Sequence, residues 1–192
     1  LVRDLLIHAG VHSEKTFTDV MKARVGQLIK WRSAWLLAGL VGGMLTVGIA
    51  KAFEDELSAI IELAFFLPVM VYLGDAVGTQ TQMLFVRGLT TETVRLSSYL
   101  RRELLVDVSI GALLSILLGA FSFFLIGEIR LTSIIMLAVF AIVSTAGLLA
   151  IGISLLLFKL RRDPAIGGGP FVTIVQDIVS LLIYFAIATA IL

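Results

Sequence analysis

Long apolar runs alternate with short polar segments along most of the chain. Most of these runs are at least as long as the roughly 20 helical residues that cross a hydrocarbon core of ~30 Å, and the first is only slightly shorter. We therefore predict an all-α integral membrane protein with five transmembrane helices. The five runs are Ser33–Ala50, Leu57–Val86, Leu104–Gly127, Leu131–Phe158 and Pro170 to Leu192.

Composition supports the membrane interpretation and excludes several functions. Of the 192 residues 59% are hydrophobic and 15% are charged, against about 25% charged in a typical soluble domain. With no cysteine, disulfides and thiol nucleophiles are excluded. No basic patch with interleaved aromatic residues indicates nucleic acid. Hydrolase motifs such as His-Glu-x-x-His and Gly-x-Ser-x-Gly are absent from the sequence, and we predict that the chain is not an enzyme.

The basic residues predict the orientation of the helices. Of the 15, 13 lie in the amino-terminal tail, the second-to-third loop and the fourth-to-fifth loop, whereas Lys51 and Arg130 lie in the other two loops. Because cytoplasmic flanks retain Lys and Arg, we expect a cytoplasmic N-terminus and a C-terminus outside. Residues 1–30 are mixed polar and apolar and are predicted to form a cytoplasmic amphipathic connecting segment, leaving 31–192 as the transmembrane pore domain.

Four acidic residues lie inside the predicted spans: Glu62, Asp75, Asp107 and Asp177. An ionised carboxylate in hydrocarbon costs at least ~2.5–3.5 kcal/mol, and the spans contain no Lys or Arg to offset it. A bound cation, a proton or water in a cavity must therefore offset this cost. Asp75 and Asp177 are predicted at similar depths near the middle. Glu62 lies within two turns of the outer end and Asp107 one turn from the inner end, where interfacial snorkelling or a helix-end charge is the favoured interpretation.

The second run is broken by polar residues around Asp75. Two glycines, two threonines and two glutamines interrupt it between Gly74 and Gln82, downstream of Pro68. Non-helical backbone at membrane depth is tolerated where it is buried in protein or lines a cavity. We therefore predict that the second helix is interrupted, that the carbonyl of Gly74 is available to a cation, and that Gly78 and Gln80 line the path.

Small residues spaced four apart predict close helix packing. Gly39 and Gly43 lie in the first run, and Gly111, Ser115 and Gly119 lie in the third. Such residues let two helix backbones approach each other within a membrane. We interpret both sets as helix contacts rather than as ion ligands.

The last run resembles the final transmembrane segment of the MgtE magnesium channels. Gly169–Asp177 reads GPFVTIVQD and is followed by Ile183-Tyr184-Phe185, close to the family's pattern GP(F/L)VTTxxD…(I/L)IYF. The second run is similar to the family's proline-led segment ending in G-N-x-G-x-Q, and the stretch from Asp4 to Val11 is similar to the one that precedes the family's membrane domain. One departure is that this chain carries an acid, Asp75, where the family pattern has asparagine nearby.

The resemblance implies a role for particular residues. In the family the aspartate of the last span holds a hydrated magnesium ion in a pore formed by two protomers, which points to Asp177 here, with Thr173 one turn earlier as a backbone ligand. It also implies a homodimer and a cytosolic regulatory domain upstream of residues 1–30. Because the chain begins at Leu1 rather than at methionine, we expect such a domain to belong to a longer protein.

These observations lead to a hypothesis of divalent cation transport across the cell membrane. The predicted ion is Mg2+, with Mn2+ and other divalent cations as alternatives. Two other functions remain open: a sodium- or proton-coupled exchanger, and a membrane anchor that dimerises a cytosolic sensor. The predicted metal ligands are Asp177, Asp75, Thr173 and Gly74, and the predicted pore-lining or supporting residues are Gly78, Gln80, Asp107 and Glu62.

Overall fold

The computed structural model describes residues 24–91, 96–159 and 164–192. Within these residues the fold is all helical. Residues 1–23, which contain most of the predicted connecting segment, lie outside the described ranges. The helices are α1 (Val25–Ala52), α2 (Glu54–Ala59), α3 (Glu62–Thr91), α4 (Leu96–Ile126), α5 (Ile129–Lys159) and α6 (Pro164–Ile191).

Four of the described helices are long and apolar enough to cross a membrane. These candidate spans lie in α3, α4, α5 and α6. The apolar part of α1, Leu36–Ala52, is shorter than the other four. The helical membrane class is therefore confirmed, whereas a fifth span and the orientation of the termini stay predictions.

Two helices begin earlier than their hydrophobic runs. Helix α4 begins at Leu96 instead of Leu104, and α6 begins at Pro164 instead of Pro170. In α4 the additional turns carry Arg101 and Arg102, which are exposed. Long basic side chains keep their charged ends in water while their stems follow an apolar helix, so hydrophobicity alone underestimates the length of such a helix.

The predicted interruption of the second transmembrane helix is wrong. Helix α3 continues through Gly74 and Gln82, with Pro68 inside it. The glycines serve close packing instead: a Cβ on Gly74 would overlap the Ser180 hydroxyl, and a Cβ on Gly78 would lie 3.2 Å from Gln176 Oε1. Because glycine removes that obstacle, α6 can lie directly against the backbone of α3.

Helix α5 is the centre of the bundle. It packs against α3, α4 and α6, while α3 also packs against α6, and α6 against α1. Its buried apolar face forms half of the main core cluster, and side chains of α3 and α6 such as Met70 and Phe185 form the other half. The side chains on the outer faces are also apolar, with Phe124 of α4 91% exposed. An apolar exterior around an apolar core is expected of helices surrounded by lipid.

The contact between α4 and α5 follows the predicted stripe of small residues. Gly111, Ser115 and Gly119 are all buried. The hydroxyl of Ser115 donates a hydrogen bond to the carbonyl of Met136 on α5, with an oxygen–oxygen distance of 2.8 Å. A Cβ on Gly111 would lie 3.2 Å from the carbonyl oxygen of Phe140. The packing role predicted for these residues is therefore confirmed.

The corresponding prediction for α1 is wrong within this chain. Cβ atoms on Gly39 and Gly43 would meet nothing within 4 Å. The residue that allows α1 to approach α6 is Gly42, where a Cβ would lie 2.6 Å from side-chain carbons of Ile174. Adjacent glycines differ by about 100° around a helix, so the sequence spacing alone does not identify the packed face.

Two contacts tie α6 to its neighbours at the end predicted to face outside. The buried Tyr184 hydroxyl donates a hydrogen bond to the carbonyl of Leu63 on α3, at 2.9 Å. The ring of Phe185 stacks on Phe53, which follows α1, with 4.6 Å between ring centroids. At the same end, Gly127 joins α4 to α5 with a φ of 77°, a conformation that favours glycine. The end of the bundle is thus held by specific contacts.

The tight α4–α5 contact yields a stability prediction. Replacing Gly111 by Val places methyl groups against the Phe140 carbonyl, and overpacking of this kind typically costs about 1–3 kcal/mol. Gly111→Val should therefore lower the thermal unfolding temperature of the detergent-solubilised protein. Gly152→Val on α5 is the matched control, since a Cβ there meets nothing within 4 Å. Equal stability of the two variants would contradict the packing.

Candidate functional site

The candidate site lies between α3 and α6, where Asp75 and Asp177 come together. Asp75 follows Gly74 on α3 and Asp177 follows Gln176 on α6, and the Gln176 carboxamide lies against Gly74, so the two acids lie on contacting segments of the two helices. Both residues are half-buried, and each has an Oδ1 atom that is buried with no hydrogen-bond partner in the described ranges. Two carboxylates that repel each other in a poorly solvated position are stabilised by a cation or a proton.

Two polar residues of α6 lie behind the acidic pair. Gln176 is 1% exposed and Ser180 is 0% exposed. Both contact the glycines of α3, where Gln176 reaches Gly74 and Gly78 and Ser180 reaches Gly74. Their Oε1 and Oγ atoms are also buried without a hydrogen-bond partner in the part of the chain that the structure describes. The site is therefore a polar patch between two otherwise apolar helices.

Basic side chains stay away from this patch. Every Lys and Arg whose side chain is described is exposed. No group of three or more His, Cys, Asp or Glu residues within the described ranges is arranged to hold a metal ion. A single chain therefore contributes two carboxylates to the site, and the described basic residues do not neutralise them from the interior.

The other predicted ligands and lining residues occupy different environments. Thr173 is half-buried on α6, one turn before Asp177, and Gly74 and Gly78 are buried in the contact with α6. Because α3 is helical at Gly74, the carbonyl of that residue is not freed by a break in the helix. Gln80 is exposed on the surface of this chain. These predicted ligands and lining residues therefore differ in how far they are exposed: Thr173 is half-buried, Gly74 and Gly78 are buried, and Gln80 is exposed.

Asp107 belongs to a second polar cluster, between α4 and its neighbours. It is 1% exposed, and its Oδ2 atom overlaps the position that a Cβ on Gly147 of α5 would occupy. Its charge interacts with Glu103, one turn earlier, and Glu103 accepts a hydrogen bond of 2.8 Å from the hydroxyl of Thr81. The interfacial snorkelling expected for Asp107 is therefore wrong, because its carboxylate is buried against Gly147 of α5.

Glu62 behaves as a helix-end charge. It is the first residue of α3 and is half-buried. A carboxylate in the first turn interacts favourably with the exposed N–H groups of the helix N-terminus, typically by 0.3–1 kcal/mol. This environment agrees with the structural interpretation of Glu62 and gives no reason to place it with Asp75 and Asp177.

Sequence reasoning missed Gln176, Ser180 and Glu103. A signal for the first two was present, since they are polar, four residues apart and therefore on one face of an apolar helix. Glu103 was excluded because the hydrophobic run began at Leu104. Its spacing of four residues from Asp107 places the two carboxylates on the same face of α4, which would have identified the pair once the helix was extended.

The fold and the site together define a multi-pass α-helical membrane protein with a paired-carboxylate site between two spans. Residues 67–187 match the family model described as "MgtE: Divalent cation transporter". The chain therefore belongs to the MgtE family of divalent cation transporters. This membership confirms the resemblance, the multi-pass membrane location and the prediction that the chain is not an enzyme.

Curated relatives named magnesium transporter MgtE match most of the chain. The Bacillus subtilis protein is 35% identical over 162 residues, which cover 83% of this chain and 36% of the relative. The Thermus thermophilus protein is 32% identical over 182 residues, covering 91% of this chain and 40% of the relative. The Enterococcus faecalis protein is 30% identical over 185 residues, covering 94% and 40%. The chain thus spans well under half the length of these relatives.

The proximity of the two acids can be tested with thiols, because the chain has no native cysteine. In the variant Asp75→Cys/Asp177→Cys, two thiolates should share one Cd2+ ion and bind it about tenfold more tightly than either single cysteine does. Titration of the reduced, purified protein with Cd2+, followed by thiolate absorption, measures this difference.

The control for this titration is Glu62→Cys/Asp177→Cys. Residue 62 lies 13 positions before residue 75 on one helix, or ~20 Å along the axis. That pair should bind Cd2+ no better than the single variants. If both double variants bound Cd2+ with equal affinity, Asp75 and Asp177 would not be close enough to share an ion, and the candidate site would be wrong.

Proposed function

We propose that this chain is the membrane pore of a divalent cation transporter and that its preferred ion is Mg2+. The observation that carries the proposal is the paired placement of Asp75 and Asp177 between α3 and α6, away from basic side chains. The family match and the names of the relatives support the choice of ion.

The chemistry of Mg2+ suits a site with few carboxylates. Mg2+ loses its water reluctantly and prefers six oxygen ligands in octahedral geometry, so proteins commonly hold it through one or two carboxylates and several waters. Two carboxylates attract a hydrated dication by charge and repel anions. Because they leave most of the hydration shell intact, the ion can also leave, which conduction requires.

We further propose that two copies of the chain enclose the pore. Asp75 and Asp177 are half-buried rather than buried, so they border the surface of one chain. A hydrated path along that surface needs a second wall, and a second copy supplies one together with a second pair of acids. The acidic charge at the ion would then double. The predicted link from residues 1–30 to an upstream regulatory domain accompanies this proposal.

Within the proposed pore the predicted residues take different roles. Asp177 and Asp75 hold the hydrated ion, and Thr173, one turn from Asp177, lies on the same face of α6; because α6 is helical there, its backbone carbonyl is not freed for the ion. The glycines Gly74 and Gly78 bring α3 against α6. Asp107 contacts Gly147 on a different side of α5, so we assign it to helix packing rather than to the ion path.

Removal of the carboxylate of Asp177 tests the pore. Asp177→Ala should abolish Mg2+ uptake, and Asp177→Asn, which keeps the shape and removes the charge, should reduce it at least tenfold, a loss of about 1.4 kcal/mol in stabilisation of the ion. Uptake into proteoliposomes with a Mg2+-sensitive dye measures both. Glu62→Gln is the matched control and should leave uptake close to that of the unaltered protein.

Normal uptake by Asp177→Ala would discard the pore assignment. Absence of uptake by the unaltered protein, together with absence of stabilisation by Mg2+ in thermal unfolding, would instead favour an anchor that dimerises a cytosolic domain. The two results concern different variants and are therefore distinguishable.

The coupled-exchanger alternative makes a separate prediction. A channel moves Mg2+ down its own gradient, whereas an exchanger requires a second ion. We expect uptake by proteoliposomes to persist when Na+ is omitted and the pH is equal on both sides. Uptake that depends on an imposed Na+ or pH gradient would identify an exchanger, in which Asp75 would be the first residue to test for coupling.

A further inference from the structure

Gln176 and Ser180 are buried polar residues that have no role in holding the ion. Both lie on the face of α6 turned toward α3, and both are at most 1% exposed. Buried polar side chains in a membrane protein are expensive and are usually satisfied by hydrogen bonds. Gln176 Oε1 and Ser180 Oγ have no such partner in the described ranges. Their contacts therefore need another explanation.

These side chains occupy the space left by two glycines. The Gln176 carboxamide spans both: Nε2 lies 3.3 Å from the position of a Cβ on Gly74, and Oε1 lies 3.2 Å from that of a Cβ on Gly78. The Ser180 hydroxyl overlaps the Cβ position of Gly74, and Ile142 Cγ2 of α5 lies 3.0 Å from it. A larger residue at position 74 must displace the Ser180 hydroxyl or push α6 away from α3.

The same two helix segments carry the acids. Asp75 follows Gly74 directly on α3, and Asp177 follows Gln176 directly on α6. A displacement of the helices at the glycines therefore changes the separation of the two carboxylates. The energy of a charge pair varies inversely with distance and is larger in a poorly solvated site than in water, so the attraction for a dication depends on this separation.

We propose that Gln176 and Ser180 are positioning residues: seated against Gly74 and Gly78, they set the separation of Asp75 and Asp177 and thereby the affinity of the site for the transported dication. The inference rests on the proposed function, since it assumes that the acidic pair holds the ion. It concerns affinity at the site rather than folding of the bundle.

The variant that tests this inference is Gly74→Ala. Its new methyl group overlaps the Ser180 hydroxyl, so the helices should separate and the KM for Mg2+ uptake should rise about fivefold or more, while the maximal rate per folded protein changes less. Removing the hydroxyl in Gly74→Ala/Ser180→Ala should bring the KM back to within about twofold of the unaltered value. Ser180→Ala alone leaves the space beside Gly74 empty and should shift the KM about twofold or more, and an unchanged KM in this variant would overturn the role of Ser180. A variant that only misfolds would lose maximal rate and keep its KM.

Gly152→Ala adds a methyl group to α5 where nothing lies within 4 Å, and its KM should be unchanged. An unchanged KM in Gly74→Ala, failure of Ser180→Ala to restore it, or an equal shift in Gly152→Ala would overturn the inference. If the unaltered protein takes up Mg2+ and Asp177→Ala does not, such a result leaves the proposed function standing. If the unaltered protein takes up no Mg2+, the proposed function fails first.

Discussion

The placement of two half-buried carboxylates, Asp75 and Asp177, on contacting helices away from the described basic side chains is the constraint on which the proposed function depends. Two carboxylates within reach of each other's charge, inside a bundle with an apolar exterior, need a positive partner. The described Lys and Arg side chains all lie at the surface and do not supply it from the interior. A hydrated dication that enters and leaves would relieve the repulsion during transport and would leave the acids available for the next ion. The arrangement thus connects an electrostatic penalty in the folded state to an activity.

The helix packing determines where the two carboxylates lie. Glycines at 74 and 78 allow α6 to lie against α3, and Gly42 allows α1 to lie against the other side of α6. Helix α5 packs against α3, α4 and α6 and provides half of the main apolar core cluster. Small residues drive such contacts in lipid, where the hydrophobic effect does not draw helices together. The location of the acidic pair is therefore a consequence of backbone approach, and the polar residues behind the pair follow the same contacts.

Much of the fold was accessible from the sequence because lipid imposes a simple rule on span length and composition. Four candidate spans and the packing stripe from Gly111 to Gly119 agree with patterns visible along the chain. The errors have two origins. Glycines in α3 predicted a broken helix, but a glycine also serves close packing, and the sequence does not say which neighbour it meets. The start of α4 was predicted too late because its first turns carry charges. Glu103 was therefore left out of the span, and Asp107 was placed near the helix end although it is buried.

Anomalous diffraction from crystals soaked in Mn2+ tests the central claim most directly, because Mn2+ resembles Mg2+ in its preference for oxygen ligands and scatters anomalously. The account predicts a peak beside Asp75 and Asp177, at a distance that leaves room for water between metal and carboxylate, and the loss of that peak in Asp177→Ala. A peak that persists in Asp177→Ala, or Mn2+ bound only elsewhere while the two carboxylates contact dry protein, would contradict it.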